Sequence, residues 1–286
     1  MSSFKKIRVF TDSVGDIPDD LLKKWNIGVI PTYVNFDGKS YADDGKELDR
    51  DAFYRQIPTM KEFPTTAAPS PAVAEQMLLE GIKGYDHIVS VNIPPQLSTT
   101  INSIKLGAQA LPEGSVTVLD SGSLTMASGY QALVAAEVAA ATGDVQQVVD
   151  AVARAKQHIK LYALIADLDY LRRSGRVNAA IAFAGSLLQL KLILDVHDGL
   201  VEPVHRIRTF KKAVDKLKEV TRAQAPLDRL VIMHIQNEEG AAELKRDLSD
   251  ILPPEVITIV AGPSLGTHIG PGSLGVVTLN AGWRKK

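Results

Sequence analysis

Apolar positions along the chain alternate between two spacings. Short runs rich in β-branched and aromatic residues fall at 7–10, 27–35, 87–93 and 116–119. Between them lie segments with apolar residues at helical spacing, at 18–25, 72–82, 98–110 and 124–141. In 72–82, Val73, Met77, Leu78 and Ile82 form one such stripe. Pro18 suits the first turn of its helix, and the Phe36-Asp37-Gly38-Lys39 stretch reads as a turn. Alternating strand and helix signals predict a largely parallel sheet with flanking helices, because parallel neighbours need a crossover between them.

A further helix is predicted at 145–158, and the texture then changes. Strands are expected at 161–165, 190–196, 201–207, 230–235, 256–260 and 276–280, with helices at 210–222 and 239–252. More strands and fewer crossovers point to an α+β region with a mixed sheet. The pattern therefore predicts an N-terminal α/β domain over 1–158 and a C-terminal α+β domain over 159–286. No internal repeat or low-complexity tract interrupts it.

Composition narrows the chemistry. The 286 residues are 45% hydrophobic with a net charge of -1, which supports a sizeable core and argues against a nucleic-acid partner. There is no cysteine, so disulfides, thiolate metal sites and cysteine nucleophiles are excluded. The acidic residues Asp12, Asp16, Asp43, Asp44 and Asp49 show no metal-ligand spacing. Asp12 and Ser13 end a strand, and Asp16 reads as a helix-start residue before Pro18. No signal-peptide or bilayer-length apolar run is present, and a soluble cytoplasmic protein is expected.

Two familiar patterns near the C-terminus fail their context tests. Gly262-Pro263-Ser264-Leu265-Gly266 matches the nucleophile elbow, but the following Gly/Pro-rich stretch predicts a loop instead of a helix, and no acidic residue follows Ser264. Gly270-Pro271-Gly272-Ser273-Leu274-Gly275 matches a dinucleotide fingerprint, but a strand follows it where a helix is required. No cofactor is expected.

What remains is rich in hydroxyls. Residues 63–71 read FPTTAAPSP, an ordered loop bracketed by prolines. Residues 96–100 read QLSTT, after a strand and before a helix, with Ser98 as the N-cap. Free N–H groups at a helix start favour an anion, although most helices carry such a cap, and the capping role alone is the more economical reading. His268, in a loop between strands, is either bonded to the loop backbone or a donor to an acidic ligand. Arg172, Arg173, Arg176, Arg206 and Arg208 form a basic cluster in sequence, suited to a solvated face or to phosphate recognition.

Taken together, these pieces resemble the DegV family of fatty-acid-binding proteins, which includes the B subunits of fatty acid kinase. The carriers are Thr11-Asp12-Ser13 with Asp16; Pro64-Thr65-Thr66-Ala67-Ala68-Pro69; Leu97-Ser98-Thr99-Thr100; Ser174-Gly175-Arg176-Val177; Arg206-Ile207-Arg208-Thr209; and His268-Ile269-Gly270-Pro271-Gly272. The resemblance covers essentially the whole chain. It implies a two-domain fold and a lipid-binding subunit of a kinase system, not an enzyme in its own right. The implied ligand is a long-chain fatty acid in an apolar tunnel, with its carboxylate on Thr66, Ser98 and His268. It also implies a partner acyl kinase that makes an acyl phosphate for phospholipid metabolism, with Arg176 and Arg208 facing partner or phosphate, and at most transient membrane contact. Two positions depart from the family pattern. Ala67 stands where its loop has serine, and Thr99 where its helix start has glycine, so Thr99 is a candidate replacement hydroxyl. Residues 181–194 are the candidate tunnel wall. The alternative is a stand-alone enzyme acting on a small acidic or phosphorylated metabolite.

Overall fold

The computed structural model describes residues 5–175 and 190–284. The chain divides into two compact units, one formed by residues 1–33 and 67–157, the other by 34–66 and 158–286. The continuous division expected at 158 thus departs from the structure in the segment 34–66, which groups with the C-terminal residues. Local periodicity carries no information on which core a segment joins.

The first unit is built on a parallel sheet of order β2-β1-β6-β7. Its strands are β1 (Ile7–Asp12), β2 (Gly28–Ile30), β6 (His87–Asn92) and β7 (Val116–Asp120). All six residues of β6 are buried, as expected for a central parallel strand covered on both faces. The single strand expected over 27–35 breaks at Pro31-Thr32, giving β2 and then β3 (Tyr33–Phe36). Proline lacks the N–H that a continuous ladder requires.

The helices of this unit are α1 (Asp19–Trp25), α3 (Pro71–Gly81), α4 (Thr100–Ala108), α5 (Met126–Thr142) and α6 (Val145–His158). The Ala-rich α5 is buried on nearly every side, as an apolar helix without a polar face must be. Phe10, Ala74, Leu78, Ile88 and Ile104 form a core between sheet and helices.

Helices α3 and α4 approach closely at Gly107. A Cβ there would lie 2.6 Å from the Glu75 nitrogen and 2.9 Å from the Pro71 oxygen. Alanine gains about 1 kcal/mol of helix propensity over glycine, but these neighbours are backbone and cannot swing aside. Overpacking at about 1–3 kcal/mol therefore decides the sign. Gly107→Ala is expected to lower the unfolding free energy by about 1 kcal/mol, read from urea titration. A gain in stability would show that the helices separate without losing their packing.

The second unit carries a six-stranded mixed sheet of order β10-β9-β8-β13-β11-β12. These strands are β8 (Ile159–Ile165), β9 (Lys191–His197), β10 (Leu200–Ile207), β11 (Leu227–His234), β12 (Glu255–Val260) and β13 (Leu274–Asn280). In this sheet only the β11–β12 pairing is parallel among the described residues. Helices α8 (Phe210–Arg222) and α9 (Glu238–Asp247) bury Ala213, Val214, Leu217, Ala241 and Leu244 in one core. Thr209 caps α8 at the Lys212 N–H and Asn237 caps α9 at the Gly240 N–H.

The segment 34–66 adds β4 (Lys39–Ala42), α2 (Arg50–Gln56) and β5 (Thr65–Ala67), with a small sheet of order β4-β3-β5. Asp49 accepts the Ala52 N–H at 2.7 Å and so starts α2. Helices α7 (Leu168–Ser174) and α10 (Pro263–Ile269) complete the unit. Val34, Phe53, Tyr54, Ile165, Leu194 and Ile269 share a second core with them.

Candidate functional site

His268 does not lie in a loop, as the Gly/Pro content suggested; it sits in the last turn of α10. Pro263 occupies the first turn, where its missing N–H costs nothing. The elbow motif is therefore followed by a helix after all, and that ground for setting it aside fails. The hydrolase reading fails on a different ground. Ser264 is buried inside the first turn, and its N–H donates to Asp43 Oδ2 at 2.9 Å, whereas an elbow holds its nucleophile exposed. The second glycine motif leads from Gly270 and Gly272, both at positive φ, into β13.

Thr66 lies on β5, in what read as a loop, and its Oγ1 is 3.1 Å from His268 Nε2. The two residues are 202 positions apart, and both belong to the second unit. Each is half-buried. The approach of β5 is set by Phe63, whose ring centroid lies 5.5 Å from that of Tyr170 on α7. The Arg173 guanidinium stands 5.3 Å from the Phe63 ring centre. Gly270, at φ +72°, is needed beside Tyr170 because a Cβ would fall 2.4 Å from that ring. With His268 Nε2–H donating to Thr66 Oγ1, the Thr66 hydroxyl proton remains to donate to an oxygen ligand.

In the first unit, Ser98 lies one residue before the helix N-cap, not on it. The cap position is Thr99, whose carbonyl accepts from the Asn102 and Ser103 N–H groups and whose side chain makes no cap hydrogen bond. Thr99 is exposed, Ser98 half-buried and Thr100 fully buried. Ser98 Oγ accepts the Thr100 N–H at 3.2 Å and lies 2.8 Å from Thr100 Oγ1. Ser98, half-buried, is thus held by the helix start.

Deeper in this unit, Asp12 ends β1 and is almost wholly buried. Its Oδ1 accepts the Val14 N–H at 3.1 Å and its Oδ2 the Ile93 N–H at 2.8 Å. Burial raises its pKa to about 7, against those two donors. Asp16 does not start a helix. It takes a left-handed conformation at φ 50° and accepts a hydrogen bond from Thr125 Oγ1 at 2.9 Å.

Of the basic cluster, Arg172 and Arg173 lie on α7 and pair with Asp169. Arg206 is on β10 and Arg208 is exposed just beyond it. Arg176 lies outside the described residues, as does the 181–189 part of the candidate tunnel wall. The rest of that wall reaches β9, where Leu192, Ile193 and Leu194 are buried. Among the described residues no helix is long and apolar enough to cross a membrane, and no group of His and acidic side chains is placed to hold a metal ion.

These features define an α/β protein of two units, with a parallel sheet in one and a mixed sheet in the other. A family model described as an uncharacterised protein of the DegV family matches residues 6–281. The chain belongs to the DegV family. It is 32% identical over 278 residues to a DegV domain-containing protein of Listeria innocua, covering 95% of this chain and 98% of that one. A Thermus thermophilus DegV family protein, described by its fatty acid binding, superposes with a TM-score of 0.88 at 30% identity, covering 96% of this chain and 99% of the other. DegV of Bacillus subtilis, described as a fatty acid binding protein, gives 0.87 at 30% identity, with 96% and 99% covered.

Proposed function

We propose that this protein binds a long-chain fatty acid and presents its carboxylate to a partner acyl kinase, which phosphorylates it to an acyl phosphate. The observation that carries the reading is the Thr66–His268 pair, two hydrogen-bonding groups 3.1 Å apart and half-buried, in a fold whose solved relatives are described as fatty acid binders. The head-group residues are Thr66, His268, Ser98 and, through its exposed hydroxyl, Thr99. Arg208, with Arg176, faces the kinase or its phosphate. The tail supplies most of the affinity: about 14 methylenes at about 0.8 kcal/mol give about 11 kcal/mol gross, against an association cost of about 4–15 kcal/mol. Hydroxyl contacts at about 1 kcal/mol each then orient the head without dominating binding. Metabolic placement in phospholipid metabolism and a cytoplasmic location accompany this role.

Protein purified from a bacterial host should release a fatty acid on denaturation, detected by mass spectrometry. Ser98→Ala and Thr66→Ala should each retain it about fivefold less well, the equivalent of one lost hydrogen bond. Acyl phosphate should form from ATP only when an acyl kinase is added. A lipid-free protein that takes up no fatty acid would end this reading, and turnover of a small acidic metabolite without a partner would replace it.

A further inference from the structure

Helix α10, which carries His268, has seven residues and no side-chain hydrogen bond from its own N-cap, Gly262. A helix this short does not hold itself together in water, so its partners set its position. Several come from the single segment 34–66. Arg50 Nη1 donates to the Val260 carbonyl at 2.6 Å, and the Tyr54 hydroxyl donates to the Ala261 carbonyl at 2.6 Å. Asp43 Oδ2 accepts the Ser264 N–H at 2.9 Å, 221 residues away in sequence. The Tyr54 ring lies so close to Gly266 that a Cβ there would be 2.1 Å from it. The segment ends at Thr66, beside His268.

Asp43 supplies the cap acceptor that Gly262 lacks. It is 1% exposed, so its hydrogen bond is shielded from water. Ser264 and His268 are four residues apart and share one helix face. Fixing the N–H of Ser264 therefore fixes the helix backbone from which the imidazole projects.

We propose that Asp43 is a positioning residue for His268, holding α10 so that the imidazole meets Thr66 and the ligand carboxylate in one geometry. The inference rests on the fatty-acid reading above and assigns Asp43 no contact with the ligand.

The test compares palmitate with hexadecanol, which has the same chain and no carboxylate, on the full-length delipidated protein. Wild type should prefer palmitate. Asp43→Ala should reduce that preference about tenfold, the scale of one hydrogen bond, and leave hexadecanol binding nearly unchanged. Asp43→Asn keeps an oxygen for the Ser264 N–H and should restore most of the preference. The His268 ring nitrogen shifts should move in Asp43→Ala and return in Asp43→Asn. Should Asp43→Ala not fold, Tyr54→Phe decides. It removes only the hydroxyl bonded to Ala261, keeps the ring over Gly266, and should lower the same ratio. Absence of any wild-type preference would defeat the carboxylate reading itself. A wild-type preference kept intact in the folded variants, with unmoved His268 shifts, would overturn the role of Asp43 alone. Equal losses for palmitate and hexadecanol would also overturn it, since a general packing defect does not distinguish the two head groups.

Discussion

Tyr54→Ala is expected to lower the unfolding free energy by about 3–5 kcal/mol. Tyr54 is fully buried, and its ring packs 5.5 Å from that of Phe53 and directly against Gly266. Truncation removes the ring, opens a cavity between α2 and α10, and leaves the Ala261 carbonyl without its 2.6 Å donor. Backbone glycine at 266 offers no side chain to fill the space. Domains are stable by only about 5–15 kcal/mol, so this one change removes a large share of the margin. Urea unfolding followed by circular dichroism measures it, and hydrogen exchange in β11 and β13 shows whether the second unit opens first. A loss below about 1 kcal/mol, the scale of a surface substitution, would contradict the tight packing at Gly266.

The second large effect is a pH dependence centred on Asp12. Its ordinary value is 3.8, and burial raises it to about 7 in the folded protein. Between those values the folded protein keeps the proton that the unfolded chain has released. The folded state binds more protons, so raising the pH across this window favours unfolding. The stabilisation is complete below about pH 4 and lost as the pH passes through about 7. Each tenfold change in proton affinity is worth about 1.4 kcal/mol, so the whole window is worth on the order of 4 kcal/mol. Asp16 adds to the shift by repulsion, while the N–H groups of Ile93 and Val14 oppose it.

Asp12→Asn separates the terms. The amide offers one acceptor oxygen where the carboxyl accepts two N–H groups. One backbone donor is left unsatisfied in the core, at about 1–3 kcal/mol. The variant cannot titrate, so its deficit relative to wild type should be greatest near pH 4 and shrink as the pH rises. The wild-type-minus-variant difference cancels contributions from other groups, including Asp43, whose proton affinity burial also raises. A difference that stays constant between pH 4 and pH 8 would remove Asp12 as the origin.

The parts of the fold legible in sequence are those whose signal is local. Strand β6 was readable from its β-branched Ile88, Val89 and Val91, and α8 from a strong stripe through Ala213, Val214 and Leu217. Helix α10 was not, because Gly266 lowers its intrinsic preference, its cap residue Gly262 has no side chain, and its cap acceptor is Asp43 from another part of the chain. Strand β5 was missed for a similar reason. Thr65, Thr66 and Ala67 become a strand only by pairing with β3. Ser98 was placed on the cap by its residue type, yet the backbone turns one residue later, at Thr99. Asp43 had no signal beyond its charge, since nothing in the neighbouring sequence shows that it is buried.

Spacing of apolar residues, absence of cysteine and the order of short motifs were determined by the sequence itself, and they sufficed for an α/β protein with a parallel and a mixed sheet. Those properties depend on neighbours within about one helical turn or one strand, which a linear reading contains. The tertiary structure alone decided that residues 34–66 join the C-terminal half, that Thr66 meets His268, and that Asp43 and Tyr54 hold the helix bearing it. Such contacts are fixed by which surfaces exclude water together, and chain distance does not record that.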